Sequence, residues 1–302
     1  MTGRTPYIGR FAPSPTGPLH LGSLVAALAS YLDAKVHHGR WLVRIEDLDG
    51  DRNVAGADRT MLASLQRCGM LWDGDVVWQS ARTDLYEAAL ARLAPALYPC
   101  ACSRKEILDS RLRLAGTAST ALVYPGTCRN GIADGKAARA LRVRVPADRH
   151  HTVAFHDRWY GALQQNLTYD VGDFIVRRAD GFWAYQLAVI VDDAAQGITH
   201  VVRGADLLDS TPRQLYLQEL LDLPRPAYLH VPVVNNESGE KLSKQTGAIA
   251  FDDGTGSAAL LHSALLPAAR FLGMAFQADT LDTFWRLAVP AWEQLLRRHD
   301  AL

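Results

Sequence analysis

Residues 10–23 read RFAPSPTGPLHLGS, a turn with three prolines, two glycines and one histidine, more irregular chemistry than a strand-to-helix reversal requires. The run before it, residues 7–12, is strand-like, and Leu21, Leu24, Val25, Leu28 and Leu32 after it share one helical face. Such a turn leaves a strand at its carboxyl end, where open α/β sheets collect ligands, and meets the free N–H groups of a helix, which favour phosphate. It is not a P-loop. The nearest approach, residues 131–136, has the wrong spacing and no Ser or Thr. Residues 254–259, GTGSAA, match a dinucleotide fingerprint, but Asp252 and Asp253 precede it and no βαβ unit surrounds it. An EF-hand reading of Asp47, Asp49 and Asp51 fails, because the glycine falls too early and Arg52 takes its place.

Two other stretches carry chemistry. Lys241 and Lys244 in KLSKQ stand just past the strand-like YLHVPVV and could bring cations over the same crevice. Cys100, Cys102 and Cys128 offer three thiolates within a loop-rich region that a structural zinc would brace, three ordinary buried thiols being the alternative. Cys68 lies beside Leu65 on an apolar helical face and reads as core.

The elements that must position these groups follow from the hydrophobic pattern. Residues 41–45 form a second short strand, with helices over 56–68 and 83–93; this alternation implies βαβ units and a parallel, doubly wound sheet. Residues 98–150 are loop-rich, and 152–191 read as several strands. The βα rhythm then returns with ITHVVRG, TPRQLYLQELLD and YLHVPVV, and two helices close the chain near 257–272 and 280–298. The resulting division is 1–97 and 191–250 as two halves of a catalytic domain, 98–190 as an insertion, and 251–302 as a short helical region.

Composition sets bounds. Across 302 residues, 48% apolar and 21% charged, Lys and Arg number 32 against 32 Asp and Glu, so any RNA contact must come from a local basic face. Arg139, Arg142, Arg144, Arg177 and Arg178 are candidates for it. No run of about eighteen apolar residues occurs, the first ten residues lack a signal-peptide core, and four unevenly spaced cysteines do not make a disulfide framework. A cytoplasmic protein, away from membranes and with reduced thiols, is the expectation; nothing demands more than a monomer.

Residues 13–22, PSPTGPLHLG, resemble the HIGH region of class I aminoacyl-tRNA synthetases in its glutamyl form, with Ser23 where the second His would stand. KLSKQ resembles the KMSKS signature of that family, RIEDLD (44–49) the segment after its second strand, and VDDAAQGITHVVRGADLLDSTPRQ (191–214) its second-half signature. Together these cover roughly residues 7–97 and 170–247. The resemblance implies a Rossmann-like doubly wound parallel sheet with an inserted α+β zinc-bearing subdomain and a short helical C-terminal region.

It also implies ATP-dependent activation of L-glutamate with Mg²⁺, in which His20 and Lys244 stabilise charge on the phosphate and His20, Gly22, Lys241 and Lys244 bind ATP. The implied glutamate set is Arg10, Phe11, Ala12, Pro13, Ser14, Glu46, Tyr185 and Arg203. Glu46 is placed on the ammonium, and both arginines are candidates for the two carboxylates. The stretch after Gln245 has room for a small helical ending but not for the large anticodon-binding region of ordinary glutamyl enzymes. In this the sequence resembles the family's short paralogues, free-standing glutamyl domains that transfer glutamate to the cyclopentenediol of queuosine in the tRNA(Asp) anticodon loop. Their C-x-C…Y-x-x-x-C pattern implies zinc on Cys100, Cys102, Tyr124 and Cys128. A truncated enzyme charging a tRNA 3′ end and a catalytically silent RNA-binding paralogue are the alternatives.

Overall fold

Short apolar runs bounded by glycine and proline become strands, and the longer periodic runs become helices. The computed structural model describes residues 6–103, 105–107, 123–146, 151–235, 249–252, 254 and 256–299. The first half alternates β1 (Ile8–Phe11), α1 (Leu21–Val36), β2 (Arg40–Ile45), α2 (Ala57–Arg67), β3 (Val77–Trp78) and α3 (Thr83–Leu93). Five strands follow: β4 (Leu97–Cys100), β5 (Ala140–Val143), β6 (Thr152–Asp157), β7 (Gly161–Asn166) and β8 (Phe174–Arg177). The alternation resumes with α4 (Tyr185–Ala195), β9 (His200–Gly204), α5 (Thr211–Leu220) and β10 (Ala227–Val231). The chain ends in α6 (Ser257–Leu260), α7 (Leu266–Phe271) and α8 (Leu281–His299), a π-helical turn at Leu261–Leu265 joining α6 to α7.

β1 and β3 flank β2, all parallel, with Ile8 opposite Arg40 and Arg44 opposite Val77. β10 is parallel to both β9 and β6, and β7 returns antiparallel to β6. Thr199, just before β9, joins the two groups: its N–H donates to the Ile8 carbonyl at 2.9 Å and its Oγ1 accepts the Ile8 N–H at 2.9 Å. The chain therefore moves away from β1 toward β2 on one side and from β9 toward β10 on the other. The carboxyl ends of β1 and β9 form a topological switch point, the usual ligand crevice of such sheets. β4, β5 and β8 make a separate antiparallel sheet.

Residues 185–191, read from the sequence as strand, begin a helix instead. α4 buries Leu187, Ala188, Val189, Ile190 and Val191 consecutively, so its apolar run is that of a helix enclosed on most sides rather than of a strand. The last helix has a cleaner signature. Phe284, Ala288, Trp292 and Leu296 recur every fourth residue and are all buried against α1 and its neighbours in the first core cluster. A buried carboxylate fastens this packing: Asp33 of α1 accepts from Tyr7 Oη (2.6 Å), Arg158 (2.6 and 3.0 Å) and Trp292 Nε1 (3.2 Å). Among the described residues no helix is long and apolar enough to cross a membrane.

Candidate active site

A cavity of about 650 Å³ opens at the switch point. It is lined by Arg10, Phe11, Ala12, Pro13 and Ser14 from the end of β1, His20 and Gly22 from the start of α1, Glu46 after β2, Tyr185 of α4 and Arg203 of β9. All the described residues anticipated for glutamate and ATP thus meet in one place, although they come from five separate elements. Lys241 and Lys244 lie outside the described residues. The chain that follows them returns beside His20, where Ala250 bridges His20 and the Phe251 N–H donates to the Leu19 carbonyl.

His20 caps α1. Its Nδ1 accepts the Ser23 N–H at 3.2 Å, and its Nε2 lies 3.1 Å from Ser23 Oγ. Because Nδ1 accepts, the neutral ring carries its proton on Nε2. The first turn of α1 holds no acidic residue, which leaves the positive end of the helix for an anion. Gly17 in the preceding turn has φ +129°, a backbone shape that excludes a side chain without strain. The Glu46 N–H and Val54 N–H donate to the Pro13 and Pro15 carbonyls, so the turn is sewn to the segment after β2.

The two arginines differ in their company. Arg10 is 3% exposed and donates through Nε to Asp193 Oδ1 at 3.1 Å, so a buried acid already balances it. Asp193 also takes Arg44 Nη1 at 2.8 Å. Burial would raise the Asp193 pKa, but Arg10 and Arg44 outweigh it and hold the carboxyl below its ordinary value. Arg203 is equally buried, yet its partners are neutral: His230 Nε2 (2.9 Å), Tyr185 Oη (3.2 Å), Thr211 Oγ1 (2.9 Å) and the Leu207 carbonyl (3.4 Å). Glu46 accepts from Arg44 Nη2 at 3.2 Å. Burial raises its pKa despite the pull of Arg44 and Arg10. The cavity therefore offers one buried cation without a counter-ion among its hydrogen-bond partners, and one carboxylate that would gain from a positive neighbour.

The sequence reading missed the residues that hold these groups. Arg44, Asp193 and Gln196 form the buried network under Arg10 and Glu46, and Asp157, Thr211 and His230 stand behind Arg203. Arg44 and Asp193 lay within the quoted motifs; charged residues at apolar-patterned positions were their only signal. Asp47 and Asp49 are engaged by Ser80 and by Arg52 and Arg178, respectively. Of the basic-face candidates, Arg142 is buried over the Tyr124 ring, its guanidinium 3.8 Å from the centroid, which removes it from any surface. Arg144 stacks on Tyr98, Arg177 on Trp183, and Arg178 sits at the cavity mouth between Asp49 and Asp180.

Residues 8–284 match the family described as tRNA synthetases class I (E and Q), catalytic domain. Glutamyl-Q tRNA(Asp) synthetases are similar over nearly the whole length. That of Burkholderia mallei is 61% identical over 96% of this chain and 97% of its own, and that of Janthinobacterium sp. (strain Marseille) 58% identical over 95% and 96%. The chain belongs to this class I tRNA synthetase family, in its glutamyl-Q tRNA(Asp) branch. A glutamate tRNA ligase from Elizabethkingia meningosepticum, solved in complex with its amino acid, superposes with a TM-score of 0.68 at 27% identity. The match covers 80% of this chain and 53% of that one, so the chain spans about half of that ligase. As a class I synthetase of this type the protein is a ligase with glutamate tRNA ligase-type function, and ATP with Mg²⁺ is the general requirement of its class.

A second cluster lies at and beyond the end of β4. The sulfurs of Cys100, Cys102 and Cys128 lie within 4.8 Å of one another. Tyr124 Oη is 3.5 Å from the Cys100 and Cys102 sulfurs and accepts the Cys128 N–H at 2.9 Å. Three thiols and a phenol converging on one point fit a tetrahedral zinc. Burial opposes ionisation of Cys100, but hydrogen bonds from Tyr124 and Arg142 bring its pKa down to about 7. The apolar cluster around these groups is a satellite of Tyr98, Cys100, Ala101, Tyr124 and Cys128 with a few partly buried neighbours, apart from the large core that buries Val143, Val153, Phe174 and Val176.

Proposed function

We propose that the protein activates L-glutamate with ATP and transfers it to the cyclopentenediol of queuosine at the wobble position of tRNA(Asp). The observation that carries the activation step is the contrast at the cavity floor. Arg203, buried with neutral partners, receives a glutamate carboxylate together with the Tyr185 hydroxyl, which accepts from Arg203 and so keeps its own proton to donate. Glu46 holds the ammonium, whose charge restores the ionised form that burial disfavours. Arg10 remains for the second carboxylate, its charge shared with Asp193.

The α-carboxylate then attacks the α-phosphorus of ATP and pyrophosphate leaves. His20, its Nε2–H exchanging Ser23 Oγ for a phosphate oxygen, and the start of α1 stabilise the phosphate oxygens on which charge builds, with Lys241 and Lys244 as the further cations and Lys244 acting in catalysis. Mg²⁺ bound with ATP supplies additional neutralisation of the phosphates. A hydroxyl of the cyclopentenediol next displaces AMP from the acyl carbon. Support for this acceptor comes from the named activity of relatives that are about 60% identical along nearly their entire length. Cys100, Cys102, Tyr124 and Cys128 hold a structural zinc.

Labelled glutamate, ATP and tRNA(Asp) with or without queuosine test the whole reading. Glutamate-dependent pyrophosphate exchange without tRNA is expected, and nuclease mapping should place the ester in the anticodon fragment of the queuosine-containing tRNA alone. Label on the terminal adenosine would overturn the assigned acceptor; absence of any exchange would point to a silent paralogue.

A further inference from the structure

His230 stands directly opposite Arg203 in the register of β10 and β9, and both are buried. Its Nε2 lies 2.9 Å from Arg203 Nε and 3.3 Å from Thr211 Oγ1, while its Nδ1 lies 2.7 Å from Asp157 Oδ2. A guanidinium only donates and a carboxylate only accepts, so Nε2 carries the lone pair and Nδ1 the proton. Asp157, fully buried at the end of β6, is itself held by the N–H groups of Trp159 and Tyr160 at 3.0 Å and of His230 at 3.1 Å. Nothing in this chain of contacts touches the cavity except Arg203 at its head.

We infer that His230, fixed by Asp157 as the Nδ1–H tautomer, is a positioning residue that orients Arg203 while leaving its full charge for a substrate carboxylate. The inference rests on the assignment of Arg203 to a glutamate carboxylate. The physical point is the neutrality of the acceptor. A carboxylate at Arg203 Nε would orient the side chain equally well but would compete with the substrate for its charge, as Asp193 does at Arg10. The neutral ring relays only orientation, and the balancing acid sits one hydrogen bond further back. Four of the five guanidinium N–H groups are accounted for by His230, Thr211, Leu207 and Tyr185, which leaves one Nη1–H on the Tyr185 side. The side chain is thereby committed to one pose before substrate arrives, and an uncompensated cation there favours a carboxylate over an amide. His230 thus helps to select glutamate over glutamine. Burial lowers the His230 pKa, in keeping with a neutral ring beside Arg203.

Three substitutions separate orientation from bulk. His230→Gln keeps an acceptor near the Nε2 position, His230→Met keeps volume without a comparable acceptor, and Asp157→Asn donates to Nδ1 and so drives the proton to Nε2. In pyrophosphate exchange, His230→Met and Asp157→Asn should raise KM for glutamate at least about twentyfold and narrow the preference for glutamate over glutamine. KM for ATP should stay within about twofold, and His230→Gln within about fivefold for glutamate. If His230→Met does not fold, Asp157→Asn and Thr211→Val carry the same comparison. Nitrogen NMR of the ligand-free wild type should show His230 protonated on Nδ1 and bare on Nε2; the reverse would overturn the proposal. So would equal losses in His230→Gln and His230→Met, or a glutamate KM that neither Met nor Asn substitution moves. Arg203→Ala is the reference: if it leaves KM for glutamate unchanged, the assignment of Arg203 to the carboxylate fails. A large rise there with none in His230→Met overturns the positioning role alone.

Discussion

At the scale of single residues, the cavity works by mismatched compensation. Arg10 has its acid and Arg203 does not, so the two buried cations would not be interchangeable as the proposed receptors for a dicarboxylate. Glu46 supplies a clear test, because burial lifts its pKa above the usual carboxylate value near 4.3. If its ionised form binds the ammonium, glutamate binding must weaken as pH falls toward that raised value, before ordinary carboxylates titrate. KM for glutamate should therefore show an acid limb in the wild type. Glu46→Gln should raise KM about a hundredfold at neutral pH and remove that limb, as measured by pyrophosphate exchange across pH.

At the scale of elements, α1 connects chemistry to stability at both of its ends. Its N-cap is His20, which makes capping and the proposed phosphate recognition separable by substitution. His20→Asn retains a good cap, so stability should change by less than about 0.5 kcal/mol, while loss of the Nε2–H should slow adenylate formation about a hundredfold or more. Further along the same helix, Asp33 fastens α8 through Trp292 and the β6–β7 turn through Arg158. Burial would raise the Asp33 pKa, but Arg158 and Tyr7 outweigh it and the net shift is downward. A lowered folded pKa means that this stabilisation is complete above the unfolded value near 3.9 and is lost as pH falls through the folded one. Asp33→Asn should cost about 3 kcal/mol at pH 7 and flatten the acid-induced loss of stability, as read from urea denaturation at several pH values.

At the scale of the whole molecule, the described residues form three hydrophobic cores of unequal size: two large ones and a small cysteine-rich one. The first core joins the opening βα units to the final helices, so the C-terminal region serves as a cover for α1. The small cysteine-rich core at the end of β4 is where the proposed metal would add its stabilisation. Protein purified without chelator should hold about one zinc per chain, and Cys128→Ser should lower that content and loosen the insertion while leaving the main unfolding transition near its original position. Preserved metal content in Cys128→Ser would count against the four-residue site.

The local elements near the cavity were legible because their patterns are local. The strand at β1, the helix faces of α1 and α8, and the turn 10–23 all declare themselves by short periodicities or by proline and glycine spacing. The motif residues were legible for a related reason: each stands inside a short contiguous motif that resembles one of the family's, and the fold gathers the described ones around one cavity. α4 was misread because a helix enclosed on most sides and a buried strand share the same apolar run, and only packing separates them. The charged residues under the cavity floor could not be assigned from order in the chain. Arg44 and Asp193 are 149 positions apart, and Asp157 and His230 are 73 apart, yet each pair makes a direct hydrogen bond. The sequence by itself determined the motifs, and through their resemblance to a family it named the candidate groups that one cavity then collects. Only the tertiary structure decided which arginine keeps its charge, because compensation in a buried site depends on neighbours that the fold, not the chain order, brings within reach.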